Sequence, residues 1–195
     1  KNQLFEKIDI QGNKKVFNFP FLMKQNVWMD SEKLREEDKV KKVLKNGIMK
    51  ISFLGLFETL IILKGKSHAE SKTVQELGIK IVERMKKKVE EFSKKYNLNF
   101  ELAGENDLKI AKEFMEVDRV IFGKIPNVTD KENYTPSFEL PKEFDLHKKI
   151  KIESPYHEFT NGGHMMEVDT NQTVFDVLEQ MYNKEIGLAK INYKP

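Results

Sequence analysis

The chain has 195 residues, 39% hydrophobic and 33% charged, with a formal net charge of +3, a composition that suits one substantial globular domain over 1–195. It has no cysteine, which removes disulfides, thiolate–zinc sites, iron–sulfur ligation and thiol catalysis, and leaves the cytoplasm as the default compartment. The longest apolar run, Ile51 to Leu63, is broken by Glu58 and Thr59 and is too short to cross a membrane, and the lysine runs at Lys86–Lys88 and Lys148–Lys151 sit among glutamates as on solvated helix faces, so neither a membrane nor nucleic acid is indicated.

The first eighteen residues are polar and read as a helix end followed by a loop. Asp30 then opens a predicted helix whose buried stripe would be Leu34, Val40, Val43 and Leu44, stopped by Asn46-Gly47. A short strand to Phe53, a turn at Gly55 and a buried helix Leu56–Leu63 follow. The clearest element is a helix from Ser71 to Tyr96. Its Val74, Leu77, Ile81, Val82, Met85, Val89 and Phe92 recur at spacings of three and four. Residues 99–103 alternate as a strand, and Asn106 or Asp107 would cap a helix running to Glu116. Asp118 to His147, with Pro126, Pro136 and Pro141, reads as an extended loop region, and loops that long in a domain tend to be functional or disordered. Ile150-Lys151-Ile152 and Met165–Val168 read as strands, Thr173–Tyr182 as a helix with Val174, Val177, Leu178 and Met181 inward, and Leu188–Ile191 as a last strand. Strands alternating with helices give an α/β class, with too few strands for a closed barrel. The start at Lys1 rather than Met and the end at Pro195 without a polar tail read as ends cut from something longer.

Two segments carry chemistry. The loop GKSHAES, with Gly65, Ser67 and Ser71 before the long helix, could hold a phosphate on backbone amides, although the same residues suit a plain helix-entry loop. The stretch PYHEFTNGGH holds His157, His164 and the Gly162-Gly163 pair, which suits either close backbone approach to a ligand or a simple turn. It offers no third and fourth ligand for a metal, and no metal site is expected.

An ordered set of segments resembles the catalytic subunit of the anaerobic (class III) ribonucleoside-triphosphate reductases. The set runs from NFPFLM with Trp28, through VLKNG, ISFLGLFE, GKSHAES and YNLNF, to GKIPNVTDKE with Tyr134-Thr135, and closes on Gly162-Gly163-His164. The resemblance implies a partial segment, the later part, of a large glycyl-radical-enzyme-type α/β barrel. It implies a substrate pocket wall formed by Tyr134, Thr135, Ser137, Gly162, Gly163 and His164, with a ribonucleoside triphosphate as ligand and a radical-generating activase as partner of the full-length parent. The glycyl radical, the thiyl cysteine and the structural zinc of that family would lie outside these residues, so the chain alone is expected to be inactive. Family members commonly read tyrosine-threonine-asparagine-serine, one residue, then histidine; here Pro136 and Glu139 stand at the asparagine and histidine positions, and Ser67 replaces the first histidine of the earlier loop. These departures open the alternative of a noncatalytic reductase-like binding or assembly module, and part of a barrel with open strand edges would favour self-association.

Overall fold

The computed structural model describes residues 2–184, 186 and 188–193, except for the side chains of Asn2 and Leu4. Lys1 and Pro195, on which the expectation of cut ends rests, lie outside the described residues. The chain forms two compact units, Lys1–Met49 with Glu90–Phe100, and Lys50–Val89 with Glu101–Pro195.

In the first unit the polar opening is a full helix, α1 (Asn2–Gly12), rather than a helix end. The helix expected from Asp30 is broken instead. Asp30 is left-handed (φ 66°), Ser31–Lys33 make a single 3-10 turn, and only Lys41–Leu44 (α2) is α-helical. Chain pairing explains the break, because Val16 donates to the Asp38 carbonyl and Val40 to the Lys14 carbonyl, which draws residues 38–40 out of helical geometry. The inward residues are nevertheless those the pattern picks out: Val40 and Val43 are buried with Val16 and Met23, and Leu34, Leu44, Phe19 and Trp28 pack around them. The Trp28 indole donates to the Val43 carbonyl (2.9 Å) and lies so close to Gly47 that a Cβ there would fall 2.8 Å from the ring.

β1 (Ile48–Phe53) and β2 (Asn99–Gly104) pair in a two-stranded sheet. α3 (Leu56–Lys64) and α4 (Lys72–Tyr96) match the expected elements, with Val74, Val82 and Val89 of α4 buried. Asp107 caps α5 (Leu108–Phe122) by accepting from the amides of Lys109 and Ile110, and the helix runs six residues beyond Glu116.

The expected strand at Ile150–Ile152 lies within a helix, α6 (Leu146–His157), capped by Asp145. Its buried positions are Lys149, Ile150, Glu153 and Tyr156, at helical spacing. Two of those four are charged, so a search for apolar residues misses the period.

β3 (Met166–Thr170) and β4 (Ala189–Tyr193) are parallel, with Val168 opposite Ile191, and α7 (Val174–Tyr182) crosses between them. This βαβ unit closes over Ile150, Met166, Val168, Val177 and Met181, each burial contributing on the order of 1.5–3 kcal/mol. Val174 and Leu178, expected inward, are each 51% exposed. The apolar stripe of α7 is therefore narrower than its composition suggests. No helix among the described residues is long and apolar enough to cross a membrane.

Candidate functional site

The site geometry lies in the second unit and centres on the segment from Gly123 to Pro141. No regular element occurs there, yet the segment is held at several points. Thr129 is buried; its hydroxyl donates to the Gly123 carbonyl (2.7 Å) and accepts from the Ile125 amide (2.7 Å). Arg119 of α5 reaches across to the carbonyls of Thr129 and Lys131. A loop whose buried polar groups are paired in this way is a scaffold rather than a linker.

The segment then meets the start of α3. A helix leaves its first amides without internal partners, and here the neighbouring chain supplies them. Gly55 (φ 76°) donates to the Thr135 carbonyl (2.8 Å) and Leu56 to the Ser137 carbonyl (3.1 Å). The interaction is returned by Glu58, whose Oε1 accepts from the Thr135 amide (3.1 Å), the Thr135 hydroxyl (2.6 Å) and Lys131 Nζ (2.8 Å). Glu58 is fully buried, whereas the Lys131 side chain keeps 28% exposure and lies over the Phe57 ring. Tyr134, half-buried, points the other way and donates to Asp118 (2.7 Å). Burial first, and the Asp118 carboxylate second, raise its phenol above the ordinary value.

Beyond Thr135 the chain turns inward. Ser137 has φ 45°, a left-handed conformation unusual for a residue with a side chain, and the backbone amide of Glu139 donates back to the Pro136 carbonyl (2.9 Å). The turn buries Phe138 completely. Its ring stacks on Tyr156 (5.0 Å between centroids) and touches His164 (4.2 Å) and His157 (5.3 Å). The Phe138 carbonyl lies 3.1 Å from His68 Nε2, which assigns the proton to that nitrogen. Desolvation lowers His68 and His157 to about 4 and His164 to about 3, so all three are neutral at pH 7.

Glu139 sits in a buried charged group. Its Oε1 accepts from Asn106 (2.8 Å), and Asn106 also donates to the Met165 carbonyl (2.9 Å). Lys149 Nζ stands 3.8 Å from Glu139 and 3.9 Å from Glu153, and Glu153 accepts from the Leu140 amide (2.8 Å). Two carboxyl groups thus share one ammonium away from water. Burial pushes Glu139 up to about 7 and Glu153 up to about 8, against the opposing pull of Lys149.

Four of the six residues expected to line the pocket converge at the end of β2. Gly162 donates to the Leu102 carbonyl (2.7 Å), and the Gly163 carbonyl accepts from Gly104 (2.9 Å). A Cβ on Gly104 would fall 2.4 Å from His164 Nδ1 and 2.7 Å from Ser137 Oγ, so the missing side chain makes room for both. The glycine pair therefore serves a close approach to β2. Among the described residues the side-chain nitrogens of His164 and the hydroxyl of Ser137 are buried without hydrogen-bond partners, with His164 Nε2 standing 3.8 Å from Glu139 Oε1. Thr135 stands apart at the start of α3, and Tyr134 at α5. In the earlier loop, Gly65 (φ 69°) terminates α3, Ser71 pairs with Thr73, and the amide and hydroxyl of buried Ser67 both donate to Glu70 (2.7 Å each).

A cleft of about 350 Å³ opens on this segment, lined by two lysines (Lys131, Lys142), four glutamates (Glu132, Glu139, Glu143, Glu167), Asn133, Thr135 and Pro136, with Leu108, Leu140 and Pro141 adding apolar surface. Only Thr135 of the six expected pocket residues borders it. Glu58, Asn106, Lys149 and Glu153, which build its floor and supports, do not stand out in the sequence. A lone carboxylate inside the apolar run 51–63 is the one signal that could have pointed to Glu58. Among the described residues no group of three His, Cys, Asp or Glu side chains could hold a metal ion.

A sequence profile of the family "Anaerobic ribonucleoside-triphosphate reductase" matches residues 1–194. The chain is 35% identical over 136 residues to the anaerobic ribonucleoside-triphosphate reductase of Salmonella typhimurium, covering 67% of this chain and 19% of that protein. The Escherichia coli protein of the same name is 34% identical over the same length, and that of Enterobacteria phage T4 is 28% identical over 141 residues. The chain thus spans about a fifth of the length of these curated relatives. Among solved structures, the Thermotoga maritima anaerobic ribonucleotide reductase with dATP in the specificity site superposes with a TM-score of 0.65 at 14% identity, over 97% of this chain and 33% of that one. The same enzyme with glycerol in the active site gives 0.63 at 16% identity, over 78% and 27%. At such identities the likeness establishes the fold: the α/β elements are a segment of the larger reductase barrel.

Proposed function

The chain belongs to the anaerobic ribonucleoside-triphosphate reductase family, and from that membership we propose that it supplies one wall of a ribonucleoside-triphosphate pocket, with the 350 Å³ cleft as its opening. The observation that carries the reading is the cleft itself: a concave site of ligand size, with Lys131 and Lys142 beside the four glutamates of its lining and a floor fixed by buried hydrogen bonds. Thr135 faces the ligand directly in this reading. Tyr134, Ser137, Gly162, Gly163 and His164 act from behind it by fixing the turn that places Glu139. A phosphate at Gly65, Ser67 and Ser71 would have to displace the Glu70 carboxylate, which makes that loop the lesser candidate.

Ribonucleotide reduction needs groups this chain does not have. With no cysteine, its residues fit neither a thiyl radical nor a cysteine-bound zinc, so both, with the glycyl radical and its activase, belong in this reading to other polypeptide. A cytoplasmic location accompanies it. Self-association would cover the outer face of α5, where Phe114, Val117, Val120 and Ile121 are each more than half exposed.

The test is calorimetric titration with CTP and magnesium. Replacing Lys142 by alanine, a lysine 65% exposed and paired among the described residues with Glu167 at 3.9 Å, should weaken binding about tenfold without loss of fold. Equal affinity in the variant, or no binding by the parent chain, would remove the pocket reading. The departures at Pro136, Glu139 and Ser67 favour a second reading, a noncatalytic module that retains the cleft. Each of the three is built into the fold: Pro136 bridges Leu54, Glu139 holds Asn106, and Ser67 holds Glu70.

A further inference from the structure

A second hollow lies in the first unit, on residues that take no part in the cleft. It encloses about 210 Å³ beside α1, Trp28, the end of α2 and the start of β1. Its walls are apolar: Ile8, Trp28, Leu44, Ile48, Met49 and Leu98, with Gly47 among them.

The aromatic wall is fixed in place. The Trp28 indole donates to the Val43 carbonyl (2.9 Å) and its amide to the Leu22 carbonyl (2.7 Å). Its carbonyl accepts from both the amide (3.0 Å) and the hydroxyl (2.6 Å) of Ser31. The ring therefore lies locked against Gly47, whose missing side chain gives it room. A preformed apolar hollow favours an occupant that covers its walls. An apolar cavity of about 150 Å³ is enough to take up benzene, so this one suits a body of one or two rings.

Charge narrows the class further. Lys7 is the one charged side chain on the lining, no carboxylate borders it, and Gln11 adds a neutral amide. Lys7 has no carboxylate partner among the described residues, because Asp9, the nearby acid of α1, is taken by Lys41 (2.6 Å). A cationic ligand would be repelled by Lys7. An apolar body that ends in a carboxylate uses both the walls and the rim.

We propose that this hollow binds a small aromatic monocarboxylate, its rings against Trp28 and its carboxylate paired with Lys7 and Gln11. The site goes beyond the nucleotide reading and stands whether or not the cleft takes a nucleotide.

Trp28 is the single tryptophan of the chain, so its indole N–H gives one signal of its own in a nitrogen–proton NMR spectrum. 2-Naphthoate and its neutral analogue 2-naphthylmethanol are titrated into the unaltered chain and into Lys7→Met. The indole and the Gly47 amide should shift saturably with both probes. The carboxylate should bind about fivefold more tightly, the upper scale of an exposed ion pair. K7M should erase that preference and leave the affinity for the alcohol unchanged. Equal binding of the two probes by the unaltered chain overturns the carboxylate class and the role of Lys7. No saturable shift at Trp28 overturns the site itself. A Trp28 signal that moves with chain concentration alone gives the hollow to a second copy of the chain, and overturns the proposal too.

Discussion

Replacing Glu58 by alanine tests the joint that fixes the cleft. Glu58 Oε1 accepts from both the amide and the hydroxyl of Thr135 and pairs with Lys131, all within 3.1 Å, and the carboxylate is buried. A hydrogen bond to a charged group contributes roughly 1.5–3 kcal/mol. Taking the low end for each of the two Thr135 contacts gives about 3–4 kcal/mol. The Lys131 pair adds little, because that side chain is 28% exposed and can turn to water. With a urea dependence of about 2 kcal/mol per molar, the unfolding midpoint followed by circular dichroism should fall by about 1.5–2 M. Glu58→Gln keeps an acceptor toward Thr135 and should cost about half as much. A loss under about 1 kcal/mol for alanine, or equal losses for both variants, would refute the reasoning.

Stability should peak near pH 6.5. His68, His157 and His164 have folded values lowered below 6.5, so the stability they allow is lost as pH falls below the unfolded value. Glu139 and Glu153 are raised to about 7 and about 8, so the folded form holds their protons and stability declines as pH rises through those values. Between about 4.5 and 6.5 the three imidazoles outweigh the two carboxylates by one proton, a slope of roughly 1.4 kcal/mol per pH unit favouring higher pH. Urea midpoints from pH 4 to 9 check this, and a flat profile from 6.5 to 8 would contradict it. Gly104→Ala should destabilise by about 1–3 kcal/mol, since its Cβ would meet His164 and Ser137 in a filled interior, and His164→Ala in the same chain should recover part of the loss. If the outer face of α5 mediates self-association, light scattering at high concentration will show oligomers and Val120→Lys will shift them to monomer; a strict monomer throughout denies it.

Much of the frame is legible in the sequence because its signals are local. The three-and-four spacing along α4, the glycine before α3 and the threonine before α7 each specify an element through its own residues. The region around Asp30 fails because pairing with residues 14–16, distant in sequence, overrides a good local helix signal. α6 fails for the opposite reason: its inward face carries Lys149 and Glu153, whose burial makes sense only once Glu139 and the Leu140 amide are beside them. The same holds for the site. Thr135 is recognisable in its motif, whereas Glu58 and Asn106 acquire meaning only from partners 77 and 33 residues away.

The most direct test of the central claim is a nitrogen–proton NMR map of the chain as CTP and magnesium are added. The account predicts shifts concentrated at Lys131, Thr135, Glu139 and Lys142, with the Gly65–Ser71 loop unmoved. Saturation with shifts centred elsewhere, or none at all, would contradict the assignment of this cleft as the nucleotide-facing wall.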